Sequence, residues 1–171
     1  DTDTLSSSTD STTEFCVGGR NNAQFELYDG VIDDVRIYDY ARTASQIIED
    51  MNAGHPAPGS PIGSAVGWWK FDEGADNTCS GGTNDVCNAG SQSTTLDGTS
   101  TATRSESGKF GKALDFDSTD DVVTITNDDS IDFGNGLSSG FTFSTWINVD
   151  SDGEGDQGEI LEKAAAYFLR T

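Results

Sequence analysis

The chain has 171 residues, with 30 Asp or Glu against 9 Lys or Arg, a formal charge of −21. Such a surface excludes nucleic acid and anionic membrane as partners and favours divalent cations and cationic proteins. Hydrophobic residues make up 33% and no apolar run is long enough to span a bilayer, so membrane insertion and helical bundles give way to short strands and many turns.

Residues 1–14, "DTDTLSSSTDSTTE", are polar and low in complexity and read as a loop or arm. The start at Asp1 rather than Met implies a processed chain or a piece of a longer one. After Phe15, Gly18 and Gly19 break one short strand, and Asp29-Gly30 marks a turn before the next. In that next strand, strict alternation puts Val31, Asp33, Val35 and Ile37 on one face and Ile32, Asp34, Arg36 and Tyr38 on the other. A helix is predicted near residues 43–51. Thr43 is its N-cap, Gln46 completes a capping box, Ile47, Ile48 and Met51 form its apolar stripe, and Asn52-Ala53-Gly54 ends it.

Residues 55–66, "HPAPGSPIGSAV", hold all three prolines and read as a semi-rigid linker. Beyond it the pattern is strand throughout. "GWWKFDEG" sets Trp69 and Phe71 against Trp68 and Lys70. "KALDFDSTDDVVTI" gives two strands around an acidic turn, with Leu114 and Phe116 on one face. "FTFSTWINV" sends Phe141, Phe143 and Ile147 one way and Trp146 and Asn148 the other. Cys79 and Cys87 flank a polar, Gly-rich loop and predict a local disulfide, because a zinc site needs two more ligands and the single histidine, His55, lies in the linker. Cys16 is left as a buried thiol or one arm of an intermolecular bridge.

Five blocks carry a likeness: "GWWKFDEG", "GKFGKALDFDSTDDVVTI", "FTFSTWINV" and "GEILEKAAAYFLR", together with "YDGVIDDVRIYDYARTASQI". They resemble the laminin-G-like, concanavalin A-like family of extracellular modules. The resemblance implies an all-β, antiparallel jelly-roll β-sandwich with one short helix, located outside the cell or on its surface. Two departures stand out: the closing block precedes the opening ones, and the family's middle strands are missing. Residues 1–54 thus resemble the C-terminal strands and helix of one module, 55–66 a linker, and 67–171 the N-terminal strands of another. Either piece alone is too small and polar to bury a core, and each leaves strand edges unpaired. Three arrangements satisfy this: a segment of a tandem array, a subunit completed by a neighbour's strand, or a permuted domain whose two ends pair with each other.

Several residues are candidates for chemistry. Asp33 shares an apolar face in the alternation above, so its carboxylate either accepts backbone amides at a strand end or ligates Ca²⁺. Asp34 adjoins it, and Asp72 and Glu73 follow the strand expected beside it; the resemblance implies calcium near such positions. In "DSDGEGDQGE", Asp150, Asp152, Glu154 and Asp156 match the first half of a calcium loop. Leu161 at the twelfth position excludes an EF-hand, and a solvated acidic hairpin is the bland alternative. Asp115, Asp117, Asp120 and Asp121 form a second acidic cluster with the same bland alternative. Glu154, Asp156 and Glu159 also have the spacing of a glucanase catalytic strand, where carboxylates stand about 5–5.5 Å apart, but Gly155 and Gly158 interrupt the segment. Trp68 and Trp146 point away from the Phe-rich faces and either stack on sugar or pack under neighbouring chain. The sequence therefore reads as a non-catalytic, laminin-G-like binding module with structural Ca²⁺. Its partners are glycan, extracellular protein, neighbouring modules or other copies. The alternative is a filament or coat subunit joined by strand complementation, and a glycoside hydrolase ranks last.

Overall fold

The computed structural model describes residues 12–20, 26–52, 65–80, 82–105, 107–133, 140–164 and 166–171. Most of the N-terminal arm, the linker up to residue 64 with His55, and Ala53-Gly54 at the expected helix end lie outside them.

Ten strands form an antiparallel sandwich among the described residues. One sheet runs β10 (Tyr167–Arg170), β9 (Glu159–Lys163), β1 (Phe15–Val17), β7 (Val123–Ile125), β4 (Gly98–Ser100). The other is built on β2 (Asp29–Tyr38). Along one side β2 pairs with β8 (Thr142–Ser151). Along the other it meets β6 (Ala113–Asp117) at its start and β3 (Gly67–Trp69) at its end, and β5 (Thr103–Ser105) lies outside β6. This is the antiparallel, jelly-roll-like sandwich that the resemblance implied. Strands from before and after the linker interleave in both sheets: β1 sits between β7 and β9, and β2 between β8 and the β6/β3 pair.

The core forms where the two sheets face each other. Phe15 of β1 stacks on Trp69 of β3 at 5.5 Å between ring centres, and both are fully buried. Tyr28, Ile32, Val35, Ile37, Leu114, Phe116, Val123, Ile125 and Leu161 complete the interior. Each such side chain contributes roughly 1.5–3 kcal/mol by leaving water. Leu114 and Phe116 share the buried face, as their alternation predicts.

The alternation predicted for β2 is corrected at one point. Ile32 and Val35 pack in the same core cluster, although strict alternation puts them on opposite faces. Asp34 adopts a left-handed backbone (φ 57°), and the register against β8 shifts between Asp33 and Arg36. This bulge absorbs one residue. Ile32, Val35 and Ile37 consequently face the core, while Asp33 is paired with Trp146 and turns to the outer face, away from the apolar residues expected to flank it.

The helix α1 (Ala44–Asn52) is capped as predicted: the Thr43 amide donates to Gln46 Oε1 (2.8 Å) and the Gln46 amide to Thr43 Oγ1 (3.4 Å). Its apolar stripe is not what seats it. Ile47, Ile48 and Met51 are 43%, 59% and 51% exposed. The contact is ionic. Asp50 is buried; Arg42 Nη2 lies 2.5 Å and Arg36 Nη1 3.4 Å from its carboxylate, and the Tyr38 hydroxyl donates to it at 3.2 Å.

Candidate functional site

The outer face of the β8-β2-β6-β5 sheet collects the aromatic and polar side chains best placed for a ligand. Cross-strand register puts Thr103, Asp115, Val31 and Asn148 in one row, with Asp33 and Trp146 as the next pair along β2 and β8. Asn148, Asp115 and Thr103 are exposed, and Trp146 is half-buried. The turn at residues 108–112, "GKFGK", folds against this end of the face. Phe110 meets the Trp146 ring edge-on at 6.1 Å between centres, and Lys109 Nζ lies 4.5 Å from the centre of that ring.

Two carboxylates hold this turn. Asp33 Oδ2 accepts the Phe110 amide (2.8 Å), and Asp72 Oδ1 accepts the Lys112 amide (2.9 Å). Gly111 (φ 86°) lets the backbone approach so closely that a β-carbon there would stand 2.3 Å from Asp72 Oδ1. Burial pushes the Asp33 carboxyl up to about 6, reinforced by Asp34 and Asp72, while the amides of Phe110 and Lys109 act in the opposite direction. Asp33 Oδ1 is buried and makes no hydrogen bond of normal geometry.

The other candidates are placed differently. Asp34 Oδ1 accepts Trp68 Nε1 (2.6 Å), and its Oδ2 lies 2.5 Å from Arg36 Nη2. Trp68 is itself buried, with the Arg36 guanidinium 4.9 Å and Lys70 Nζ 4.5 Å from its ring centre, which is the packing alternative raised for it. Glu73 Oε1 accepts the Cys87 amide (3.0 Å), beside the Cys79–Cys87 disulfide, which forms as the spacing predicts. Cys16 lies buried in β1. Asp150, at the end of β8, and Asp152, Glu154 and Asp156, in the connection to β9, are exposed; the segment is solvated, but it crosses from one sheet to the other and is not the hairpin expected. Among the described residues, the set of three or more carboxylates whose oxygens lie within 4.8 Å of one another is Asp117, Asp120 and Asp121. There the Asp121 carboxylate accepts the Asp117 amide (3.1 Å).

The glutamates of the glucanase-like spacing also part company. Glu154 is exposed beside an open pocket of about 380 Å³ lined by Arg20, Glu26, Glu154, Gly155 and Gln157. Glu159 is buried; desolvation, then Glu162 and Glu26, push its carboxyl up to about 7. The Lys109–Phe110 pair beside Trp146 is the part of the site that sequence reasoning missed. Its signal was the glycine pair of "GKFGK", which allows a tight turn to lie on a sheet.

Comparison with known proteins gives one family match: residues 1–48 fit the model of the concanavalin A-like lectin/glucanases superfamily. No curated protein and no solved structure matches the chain.

Proposed function

Proceeding from a β-sandwich whose first 48 residues fit the concanavalin A-like model, we propose that the protein is a non-catalytic, extracellular binding module that holds glycan on the outer face of its β2-centred sheet. The observation that carries this reading is Trp146, half-buried on an open face, with exposed Asn148, Asp115 and Thr103 one row away. An aromatic ring supplies a stacking surface for a sugar, and short polar side chains supply the hydrogen bonds that orient it. A hydrolase reading is disfavoured because one glutamate of the motif is exposed and the other buried against Glu26 and Glu162.

Structural Ca²⁺ belongs to the same proposal. Asp33 fits a hard cation through its buried Oδ1, which makes no hydrogen bond of normal geometry, with Asp72 holding the same turn; Asp34 does not, since both its oxygens are engaged. Asp117, Asp120 and Asp121 supply oxygens at a second place. Bound there, the ion would neutralise carboxylates; the chain's own part is to hold the 108–112 turn against Trp146.

Affinity electrophoresis against a panel of neutral and acidic polysaccharides tests the reading. Retardation of the wild-type chain by at least one of them, lost in Trp146→Ala, supports it. Equal mobility of both proteins in every gel overturns it. EDTA should lower the melting temperature by several degrees in the wild type and not in Asp33→Asn; an unchanged wild-type value removes the calcium.

A further inference from the structure

A lysine stands in the core of the sandwich. Cross-strand register puts Tyr167, Lys163, Phe15 and Ile125 in one row across β10, β9, β1 and β7. Tyr167, Phe15 and Ile125 belong to the core, so the row faces inward, and Lys163 is fully buried among them. An ammonium group in such a place is costly unless its hydrogen bonds are met. Lys163 Nζ meets three oxygens. It donates to the Thr13 carbonyl (3.0 Å) and to Asn127 Oδ1, and it lies 3.1 Å from Asp132 Oδ1. That carboxylate oxygen is buried and makes no hydrogen bond of normal geometry. Asn127 and Asp132 flank one short turn, Asp129–Ile131. Asp128 Oδ1 accepts the Ser130 amide (2.9 Å), and the Tyr167 hydroxyl donates to the Ile131 carbonyl (2.9 Å), which fastens the turn to β10. Phe133, next to Asp132, stacks on Tyr167 at 5.7 Å and on Phe141 at 5.0 Å between ring centres and walls this end of the core with aromatic rings.

We propose that Lys163 and Asn127 join in an intramolecular isopeptide bond, with Asp132 as the proton carrier. An amine held against a carboxamide, with a carboxylate touching the amine and bulk water kept out, is the set of groups that aminolysis of an amide needs. Asp132 takes one proton from the ammonium group and leaves a neutral amine. The lone pair of Nζ forms a bond to Asn127 Cγ, and the carbonyl electron pair moves on to Oδ1. A second proton passes from Nζ to Asn127 Nδ2 by way of Asp132. The Cγ–Nδ2 bond then breaks as the carbonyl re-forms, and ammonia leaves with the proton that Asp132 held. Nothing is oxidised or reduced, and no co-reactant is required. The plain alternative, a permanent ion pair with Asn127 as a further acceptor, keeps an ammonium charge in the core, whereas the bond removes it. The link also has a mechanical result. It ties β9 to the end of β7, the two strands that flank β1, and so clasps β1 between them. It is independent of the glycan reading, and its test contains no sugar.

The test is the intact mass of the folded 171-residue chain after reduction of its disulfide. The wild type should be lighter than its sequence mass by one ammonia. Lys163→Arg, Asn127→Ala and Asp132→Asn should each return to the mass of their own sequence. Trypsin then locates the bond in the wild type, whatever the variants do to folding. No Lys or Arg lies between residues 113 and 162, so an unlinked chain yields the fragment 113–163. Acylation of Lys163 blocks cleavage after it, so the linked chain should yield 113–170, lighter by one ammonia. A wild type at its full sequence mass overturns the proposal. So does an ammonia loss in a chain that trypsin still cuts after Lys163, since that marks a cyclic imide at Asn127-Asp128, and so does a loss that persists in Lys163→Arg.

Discussion

The apolar side chains of β1 and β8 meet opposite fates. Phe15, Cys16 and Val17 of β1 are all buried, because β7 and β9 flank them and the other sheet covers them. Phe143 of β8 is only half-buried and Ile147 and Val149 are exposed, because among the described residues β8 pairs along one side only, with β2. Burial in this sandwich is therefore set by how many sides of a strand are paired, more than by how apolar the strand is. Substituting the same residue in each strand measures this. Phe15→Ala removes a ring stacked on Trp69 in a site with no exposure, and should cost about 3–5 kcal/mol in urea unfolding. Phe143→Ala, at the half-buried site, should cost about half as much, near 1–3 kcal/mol. Equal losses would mean that Phe143 is as fully covered in solution as Phe15.

The sequence made the pairing legible but not its geometry. Alternation in residues 141–149 assigned Phe143 and Ile147 to one face and Trp146 to the other, and the register agrees. Capping chemistry located α1, and cysteine spacing located the disulfide. What misled was β2, where a period of two is an assumption that one left-handed residue breaks. "DD" at 33–34 held the clue, since Asp tolerates positive φ better than most residues, but alternation alone does not show which Asp takes it. The candidate site was half legible for a related reason. Trp146 and Asp33 are visible in the sequence as an aromatic and an acid. The glycines of "GKFGK" signal a tight turn at 108–112, but that this turn lies over both, far from either in the chain, is a tertiary fact.

The second contrast lies between two acidic regions. In the 150–156 loop the carboxylates are exposed and solvated, whereas Glu159, three residues on, is buried between Glu26 and Glu162. Its folded-state pKa is raised from the ordinary 4.5 to about 7. The stability tied to this group is fully present below pH 4.5, where folded and unfolded chains both keep the proton. It is lost as pH rises through about 7, where the folded state must bury a charge that the unfolded chain carries in water. The melting temperature should therefore fall between pH 5 and 8 more steeply in the wild type than in Glu159→Gln, as read by circular dichroism at constant ionic strength. Parallel curves would show that Glu159 is already ionised in the folded protein and that Arg20, 3.3 Å from both Glu26 and Glu162, compensates for it.

The smallest effect is expected where the sequence pointed to the largest. On an amphipathic helix the apolar stripe usually carries the packing, which would make Ile47 a core residue. Here the helix instead leans on Asp50, which meets Arg36 and Arg42 from the strand β2 and the turn after it, and Ile47 remains 43% exposed. Ile47→Gln should change the unfolding free energy by no more than about 0.5 kcal/mol, within the range of ordinary surface substitutions. Asp50→Ala should cost several times more, because it leaves two buried guanidinium groups without their shared carboxylate. If the order is reversed, the stripe is covered in solution.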